Sequence, residues 1–283
     1  MTIRKFINVN EKKAVENNKE DSAVILLLCH VLNIETTKLF MMLDEEIADE
    51  QIKLFDDVFN KYLFENKPIQ YLIGYTNFYG YDFKVNENVL IPRFETEELV
   101  ENILYRYDKH FKGQDIDVCD VATGSGCIAI SLALEEKHMH LSASDISHEA
   151  LEVAKDNART LGANVSFYEG DMLEPLNGKY DILVSNPPYI PTEEEVMSLV
   201  KDNEPNIALF GGNDGLKFYR VILSGAKRLL KDKAMIAFEH GYDKKQEIEE
   251  IAHMYFPNAK VETLKDMEGK DRMTFIYIGD FNE

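Results

Sequence analysis

The residues that most clearly indicate chemistry are Asn186-Pro187-Pro188-Tyr189, called the NPPY segment below. They follow the apolar run 180–185, which predicts a buried strand that ends at the proline pair. Proline fixes φ and has no N–H, so the Asn186 side chain and the nearby carbonyls are kept out of the sheet ladder. The Asn186 and Pro187 carbonyl oxygens are two acceptors that suit the protons of a planar NH2 group, with the Tyr189 ring over its π face. The segment therefore predicts a site for an amide or an aromatic amine, with Pro188 completing its wall.

A glycine-rich loop follows the first strand of an alternating strand and helix pattern that begins near Asp115. The predicted strand 116–121 leads into Ala122-Thr123-Gly124-Ser125-Gly126, called the glycine loop below. Its glycines allow a tight turn and close approach of the backbone to a ligand at a helix N-terminus. Asp145 ends the next strand, where a carboxylate can bind ribose hydroxyls, and Asp171-Met172 follows the third. Open α/β sheets bind ligands at this edge, so the pattern predicts a nucleotide-type cofactor there.

Two cofactors fit the glycine loop. Gly124-x-Gly126-x-x-Ala129 with a later acid matches the dinucleotide fingerprint of nicotinamide dehydrogenases. S-adenosylmethionine explains more, because the sheet is predicted to end in an antiparallel strand pair and an NH2-binding segment has no obvious use in hydride transfer. Its ribose would bind Asp145, its adenine would lie beside Asp171, and its methyl group would face Asn186. The prediction is therefore methyl transfer.

The pattern of predicted strands and helices indicates a fold of the α/β class. Apolar residues at helical spacing predict a small helical domain at the N-terminus, and aromatic alternation then predicts a hairpin. We expect a helical substrate-recognition domain over 1–74, a hairpin linker over 75–94 and a catalytic domain over 95–283. For Arg93 an ion pair is favoured over a substrate contact, and for His240, after the fifth strand, a structural role is favoured over a catalytic one, with both alternatives open.

Composition limits the classes of function. The chain has 283 residues and a formal net charge of -20, which disfavours direct DNA binding. Cys29, Cys119 and Cys127 lack paired spacing and predict reduced core thiols, and we expect no metal site. The longest apolar run is too short to span a bilayer, so we expect a cytoplasmic protein that does not bind membranes.

The combined motifs resemble the HemK/PrmC family of release factor glutamine methyltransferases. The resemblance covers nearly the whole chain and is carried by five stretches, which are Ile91-Pro92-Arg93-x-Glu95-Thr96-Glu97, 120–126, the NPPY segment, Glu204-Pro205-x-x-Ala208-Leu209 and Glu239-His240-Gly241. It implies a helical domain followed by a Rossmann-like, seven-stranded S-adenosylmethionine-dependent methyltransferase domain. It also implies that the substrate is the glutamine of the GGQ motif in class I peptide chain release factors.

The resemblance implies a role for each candidate site residue. S-adenosylmethionine would contact the glycine loop, Asp145, Asp171, Met172 and Asn186. The NPPY segment would bind the glutamine, and Asn186, Pro187 and Tyr189 would take part in catalysis. An amide nitrogen is a poor nucleophile, and two acceptors for its protons would raise its electron density and align it with the methyl group.

The sequence departs from the family pattern inside the site at one residue. Ala122 stands where the first glycine of the loop is usual. Alanine is small and still allows a turn into a helix if its φ is negative, so we expect cofactor binding to survive. The other two departures, Phe94 and 231–233, lie away from the site. We expect a monomer.

Other acceptors and classes remain open at this point. The NPPY segment also occurs in enzymes that methylate the exocyclic amine of adenine in nucleic acid, since flipped bases present a similar NH2 group. A glutamine of a ribosomal protein would require the same chemistry. A noncatalytic S-adenosylmethionine-binding module is a further alternative, which the presence of Asn186 and Tyr189 disfavours.

Overall fold

The computed structural model describes residues 1–281, and its contacts divide the chain into two units. One unit comprises Met1–Tyr75 with Met197–Asn203, and the other comprises Thr76–Val196 with the described part of Glu204–Glu283. Each unit has its own hydrophobic core.

Helices come first along the chain, and strands begin at Tyr75. The helices are α1 (Ile3–Glu16), α2 (Ala23–Leu32), α3 (Thr36–Met41), α4 (Asp49–Phe64), α5 (Ile69–Ile73), α6 (Phe94–His110), α7 (Cys127–Glu135), α8 (His148–Leu161), α9 (Ser198–Lys201), α10 (Lys217–Ala226) and α11 (Lys245–Tyr255). The strands are β1 (Tyr75–Phe78), β2 (Tyr81–Lys84), β3 (Ile116–Val121), β4 (Met139–Asp145), β5 (Val165–Glu169), β6 (Tyr180–Ser185), β7 (Leu230–Glu239), β8 (Lys260–Lys265) and β9 (Asp271–Ile278).

The first unit is helical, as the spacing of its apolar residues predicts. Phe6 and Phe55 meet edge to face with ring centroids 4.9 Å apart, and Phe59 continues the aromatic row along α4. Aromatic pairs in this geometry contribute free energy beyond that of their buried area. The buried residues of α1, α2 and α4 thus form a core within this unit.

The second unit is built on a seven-stranded sheet of order β5-β4-β3-β6-β7-β9-β8, which confirms the predicted α/β fold. The first five strands in this order are parallel, and β9 runs antiparallel to both β7 and β8. Alternate residues of β6 face opposite sides of the sheet, so Ile182 and Val184 join one core and Leu183 joins the other. All six residues of β6 are buried, which explains the apolar run Ile182-Leu183-Val184 at its centre.

The hairpin of β1 and β2 contributes to the core of the second unit. Phe78 and Phe83 are buried and meet edge to face, with ring centroids 5.8 Å apart. They belong to the same hydrophobic cluster as the buried face of α6.

The parallel strands bring the candidate site residues to one edge of the sheet. Because β3, β4, β5, β6 and β7 run in the same direction, their carboxyl ends lie along the same edge. The glycine loop, Asp145, Asp171, the NPPY segment and Glu239 all lie at these strand ends.

Candidate functional site at the carboxyl edge of the sheet

The glycine loop turns from β3 into α7 through three residues with positive φ. Ala122 has φ +60°, Gly124 has φ +56° and Gly126 has φ +82°. The negative φ on which that expectation depended is not found at Ala122, because the chain turns directly after β3, where Thr123 N–H bonds the Ser144 carbonyl at 3.0 Å. An alanine in this left-handed conformation is strained, and the loop adopts it although residue 122 is not a glycine.

Gly126 is fixed by packing as well as by its φ. A Cβ at this position would lie 2.8 Å from Ile130 Cδ1 and 3.1 Å from Ala154 Cβ. The N-terminus of α7 can therefore lie close to α8 only with a glycine here.

Asp145 supports the glycine loop through its carboxylate. Its Oδ2 accepts the Gly124 N–H and its Oδ1 accepts the Ser147 N–H, each at 2.9 Å. Burial raises the pKa of Asp145 above its ordinary value, and these two N–H groups oppose that rise. A carboxylate has about four lone-pair sites, so both oxygens keep the capacity to accept further hydrogen bonds.

Asp171 and Met172 follow β5, and Met172 has an unusual backbone conformation. Met172 has φ +45°, and its carbonyl accepts the Ser144 hydroxyl at 2.9 Å. Asp171 is exposed at the pocket, as is expected of an acid that contacts a ligand rather than the core.

Asn186 is the polar end of a buried hydrogen-bond chain. Its Nδ2 donates to Thr96 Oγ1 at 3.2 Å, and Thr96 Oγ1 donates to Glu239 Oε2 at 2.6 Å. Thr96 and Glu239 are only 2% and 1% exposed, so water does not compete for these bonds. Burial raises the pKa of Glu239 to about 7, and its hydrogen bond with Thr96 opposes the rise.

The backbone of the NPPY segment is held by a second loop. Ile190 and Phe210 form a parallel β-bridge, in which Gly211 N–H bonds the Ile190 carbonyl at 2.8 Å. A Cβ on Gly211 would lie 2.4 Å from the Pro188 carbonyl oxygen, and one on Gly215 would lie 2.2 Å from the Tyr189 carbonyl oxygen. These glycines are therefore required for the two loops to approach each other.

One pocket connects the glycine loop to Asn186. Its lining residues from the sheet edge are Ala122, Thr123, Gly124, Ser125, Asp145, Asp171, Met172, Asn186 and Pro188. It is further lined by the segment before α6 (Leu90, Pro92 and Arg93), by Thr96 on α6, by the segment after α9 (Pro205, Ile207 and Ala208) and by Phe218 on α10.

Three of the predicted site residues are not among those that line this pocket within residues 1–281. Gly126 caps α7, and Pro187 is buried. Tyr189 packs partly buried against the core that contains Leu183, and burial raises its pKa to about 12. The catalytic roles of Pro187 and Tyr189 stay predictions.

Arg93 and His240 have structural partners, as expected. Arg93 Nη2 bonds Glu204 Oε1 at 2.6 Å, and Glu204 Oε2 accepts the Ile91 N–H at 3.2 Å. His240 is fully buried between the Gly241 carbonyl and Thr274 Oγ1, each 2.9 Å from a ring nitrogen. Burial lowers the pKa of His240, so the neutral ring is favoured.

Sequence reasoning missed Thr96 and Glu239 as members of the site. Both lie in stretches that carry the family resemblance. The missed signal is an acidic residue directly at the carboxyl end of an apolar strand, which predicts a buried carboxylate beside the ligand edge.

The pocket fits S-adenosylmethionine. A Cβ on Gly124 would meet no protein atom within 4 Å, so the space over the glycine loop is open for a ligand. Asp145 places carboxylate oxygens for hydroxyl groups beside this space. Within the described residues, no group of three or more His, Cys, Asp or Glu side chains is arranged to hold a metal ion.

Comparisons with known proteins identify the class and then the family. Residues 98–202 match the model of the methyltransferase small domain, and residues 10–74 match that of the PrmC N-terminal domain. A methyltransferase from Pyrococcus furiosus shares the fold with a TM-score of 0.53 at 18% identity, over 83% of this chain and 100% of that one. Fold and site thus define an S-adenosylmethionine-dependent methyltransferase.

Release factor glutamine methyltransferases are similar to this chain over most of its length. The Bacillus cereus enzyme is 47% identical over 92% of this chain and 93% of its own length. The Bacillus subtilis enzyme is 44% identical over 91% of each. The chain belongs to the release factor glutamine methyltransferase family.

The helices also bear on the expected lack of membrane spans. None of those within residues 1–281 combines the length and apolar character that crossing a bilayer requires.

Proposed function

We propose that this protein transfers a methyl group from S-adenosylmethionine to the side-chain amide nitrogen of the glutamine in the GGQ motif of class I peptide chain release factors. One observation carries the proposal, which is the single pocket that extends from the glycine loop and Asp145 to Asn186. The 37–47% identity to release factor glutamine methyltransferases supports the choice of acceptor.

The protein's own residues would hold the cofactor at the edge of the sheet. The glycine loop would bind its methionine part, Asp145 its ribose hydroxyls, and Asp171 with Met172 its adenine. Bound S-adenosylmethionine supplies an electrophilic methyl group on a sulfonium centre. The positive φ values at Ala122 and Met172 are consistent with this use, because strained backbone often occurs at ligand sites.

Asn186 would bind and orient the substrate amide. Its Nδ2 is engaged by Thr96, so its carbonyl oxygen is the end available to accept a proton from the substrate NH2 group. Together with the Pro187 carbonyl, it would align the nitrogen and favour the charge that develops on it during transfer. No covalent intermediate with the protein is needed.

We further propose that residues 1–74 recognise the release factor, that 75–94 link this region to the catalytic domain over 95–283, and that the protein acts as a cytoplasmic monomer. The match of 10–74 to the PrmC N-terminal domain supports the first part. Residues 282 and 283 of the catalytic domain lie outside the described part of the chain. The net charge of -20 disfavours nucleic acid as the acceptor.

The direct test is mass spectrometry of a class I release factor incubated with the protein and S-adenosylmethionine, followed by mapping of the GGQ peptide. One added methyl on that glutamine is the expected result. An unmodified glutamine, with cofactor bound, would overturn the proposed acceptor, and ribosomal proteins and nucleic acid would then be tested.

Asn186→Ala is expected to lower kcat by roughly 100-fold or more, because the substrate amide loses its orienting acceptor. Isothermal titration should show S-adenosylmethionine binding largely kept. Asn177→Ala, which removes an exposed asparagine side chain that bonds only the Pro175 carbonyl, is the control and should leave kcat unchanged. Wild-type turnover in Asn186→Ala would contradict the proposed role.

A further inference from the structure

Glu239 and Thr96 together determine which end of the Asn186 amide is available to the pocket. A threonine hydroxyl has one proton to donate and two lone pairs that accept. The Thr96 proton is directed to the carboxylate of Glu239, at 2.6 Å between the two oxygens. The hydroxyl oxygen can therefore only accept from Asn186, whose Nδ2 lies 3.2 Å away.

The carbonyl end of Asn186 is left without a protein partner. Among residues 1–281, Asn186 Oδ1 makes no hydrogen bond. This oxygen is also not fully buried. Since Asn186 lines the pocket, this oxygen is open to a ligand.

We propose that Glu239 is a positioning residue for methyl transfer, which acts through Thr96 and through its own attraction for the Asn186 NH2 group to keep the Asn186 carbonyl oxygen toward the substrate. The proposal rests on the proposed function, because an acceptor at this position is useful only for a substrate that donates N–H. A rotated Asn186 would present its own NH2 group to the substrate NH2 group, and two donors repel. Neither Glu239 nor Thr96 needs to touch the reacting atoms.

Burial of Glu239 opposes the negative charge that this role requires, and its neighbours act in both directions. Arg272 on β9 and the side-chain NH2 group of Asn186 attract the carboxylate, whereas Glu95 on α6 repels it. The other titratable groups near it are Cys127 on α7, Tyr189, Tyr219 on α10 and the adjacent His240. Burial is the largest influence and raises the pKa of Glu239 to about 7.

Protonation of Glu239 would reverse the chain of donors. A proton on Oε2 would be donated to Thr96, whose own proton would then turn to Asn186 and favour its carbonyl oxygen as the partner. The amide of Asn186 would rotate, and its NH2 group would face the pocket. The ionised form of Glu239, which dominates above its pKa, is the form that supports transfer.

The activity test compares two variants that change the hydrogen-bond chain from Glu239 through Thr96 to Asn186 with a matched control. Glu239→Gln keeps the shape but offers Thr96 either a donor or an acceptor, and Thr96→Val removes the hydroxyl. Each should lower kcat for methylation of the GGQ glutamine by roughly 10- to 100-fold, with the KM for S-adenosylmethionine unchanged. Thr96→Ser should restore most of kcat, because it returns the hydroxyl.

The control is Thr274→Val, which removes another buried hydroxyl near this site. Thr274 is 0% exposed and bonds His240, but it makes no contact with Asn186 in the described structure. It should lower thermal stability about as much as Thr96→Val while leaving kcat near the wild-type value. A fall in kcat equal to that of Thr96→Val, or no rescue by Thr96→Ser, would overturn the proposal.

A second readout does not depend on turnover. In protein labelled with 15N-asparagine, the side-chain NH2 signals of Asn186 are identified by their loss in Asn186→Ser. They should shift with pH around a midpoint near 7 in the free wild-type protein and in Thr274→Val, and Glu239→Gln should abolish the shift. In Thr96→Val these protons should exchange with water faster. If the Asn186 NH2 signals shift with pH in Glu239→Gln as they do in the wild-type protein, the proposal is overturned.

The two readouts separate this inference from the proposed function. If the wild-type protein fails to methylate the release factor, the proposed function fails. The NMR measurement then still decides whether Glu239 orients Asn186.

Discussion

Ala122 adopts a backbone conformation that disfavours any residue with a Cβ. Its φ of +60° lies in the left-handed region, where an L-residue is destabilised by roughly 1 to 2 kcal/mol. Ala122→Gly should remove this strain, although the more flexible unfolded chain offsets about 0.4 to 1 kcal/mol of the gain. We expect the free energy of unfolding to stay equal or to rise by up to about 1 kcal/mol, measured by urea denaturation.

Ala129→Gly is the control for Ala122→Gly. Ala129 lies in α7, is 0% exposed and has an ordinary helical φ, so glycine there should destabilise by about 1 kcal/mol or more. Equal losses at the two positions would show that the conformation of Ala122 is not strained.

Asp120 makes the stability of the protein depend on pH. It is 0% exposed, and burial raises its pKa from 3.8 to about 7, while the Thr123 hydroxyl opposes the rise. The folded state thus holds the proton more strongly than the unfolded state. The stability that this provides is complete below pH 3.8 and is lost as the pH rises through about 7, on the order of 4 kcal/mol in total.

Asp120→Asn should therefore be more stable than the wild-type protein at pH 8, with a smaller advantage at pH 5.5, in thermal unfolding followed by circular dichroism. The amide keeps the shape of the carboxyl group and never acquires the buried charge. Asp280→Asn, outside the core, is the control and should leave the pH dependence unchanged. An advantage of Asp120→Asn that does not grow with pH would contradict the assignment.

At the scale of elements, strands are predictable from sequence where their hydrophobic pattern is strong. β3 and β6 have the predicted bounds, because apolar runs of this length end at a glycine loop and at a proline pair. The edge that joins Asp145 to Asn186 also follows from the parallel arrangement alone. These features are fixed by short-range patterns.

Long-range contacts were not predictable in this way. Thr96 and Glu239 are 143 residues apart in the chain, and nothing in either local sequence shows that they share a hydrogen bond. The φ of Ala122 likewise depends on the turn that brings Thr123 to Ser144 on the neighbouring strand. A single sequence contains no direct signal of such pairing.

The loop that contains Gly215 holds the NPPY segment in place, which Gly215→Ala should test. The added Cβ would lie 2.2 Å from the Tyr189 carbonyl oxygen, so the two loops must separate. A displacement of about 1 Å near a reacting group can lower the rate by roughly 100-fold. We expect a loss of kcat of this order, with S-adenosylmethionine binding kept.

Gly269→Ala is the matched control for Gly215→Ala, because Gly269 has φ +81° against +76° at Gly215. A Cβ on Gly269 would meet no atom within 4 Å. It should therefore show the conformational strain in its unfolding free energy without a loss of kcat. A similar loss of kcat in both variants would indicate that strain alone, and not the contact with Tyr189, is responsible.

At the scale of the whole molecule, the two units differ in what ligand binding can stabilise. Each has its own hydrophobic core, and every residue that lines the pocket belongs to the second unit. A ligand that binds only the folded form of a unit raises the free energy of opening that unit, by about 2.7 kcal/mol at 100 times its Kd. A unit without the ligand site gains this stabilisation only if both units unfold together.

Hydrogen exchange with and without S-adenosylmethionine can therefore separate the two units. We expect the slowest amides of β3 and β6 to exchange up to about 100-fold more slowly with cofactor at 100 times its Kd. Those of α2 and α4 should keep their rates, because their unit opens independently. Asn186→Ala, which should still bind the cofactor, is the control and should show the same pattern. Equal slowing in both units would mean that the chain unfolds as one cooperative body.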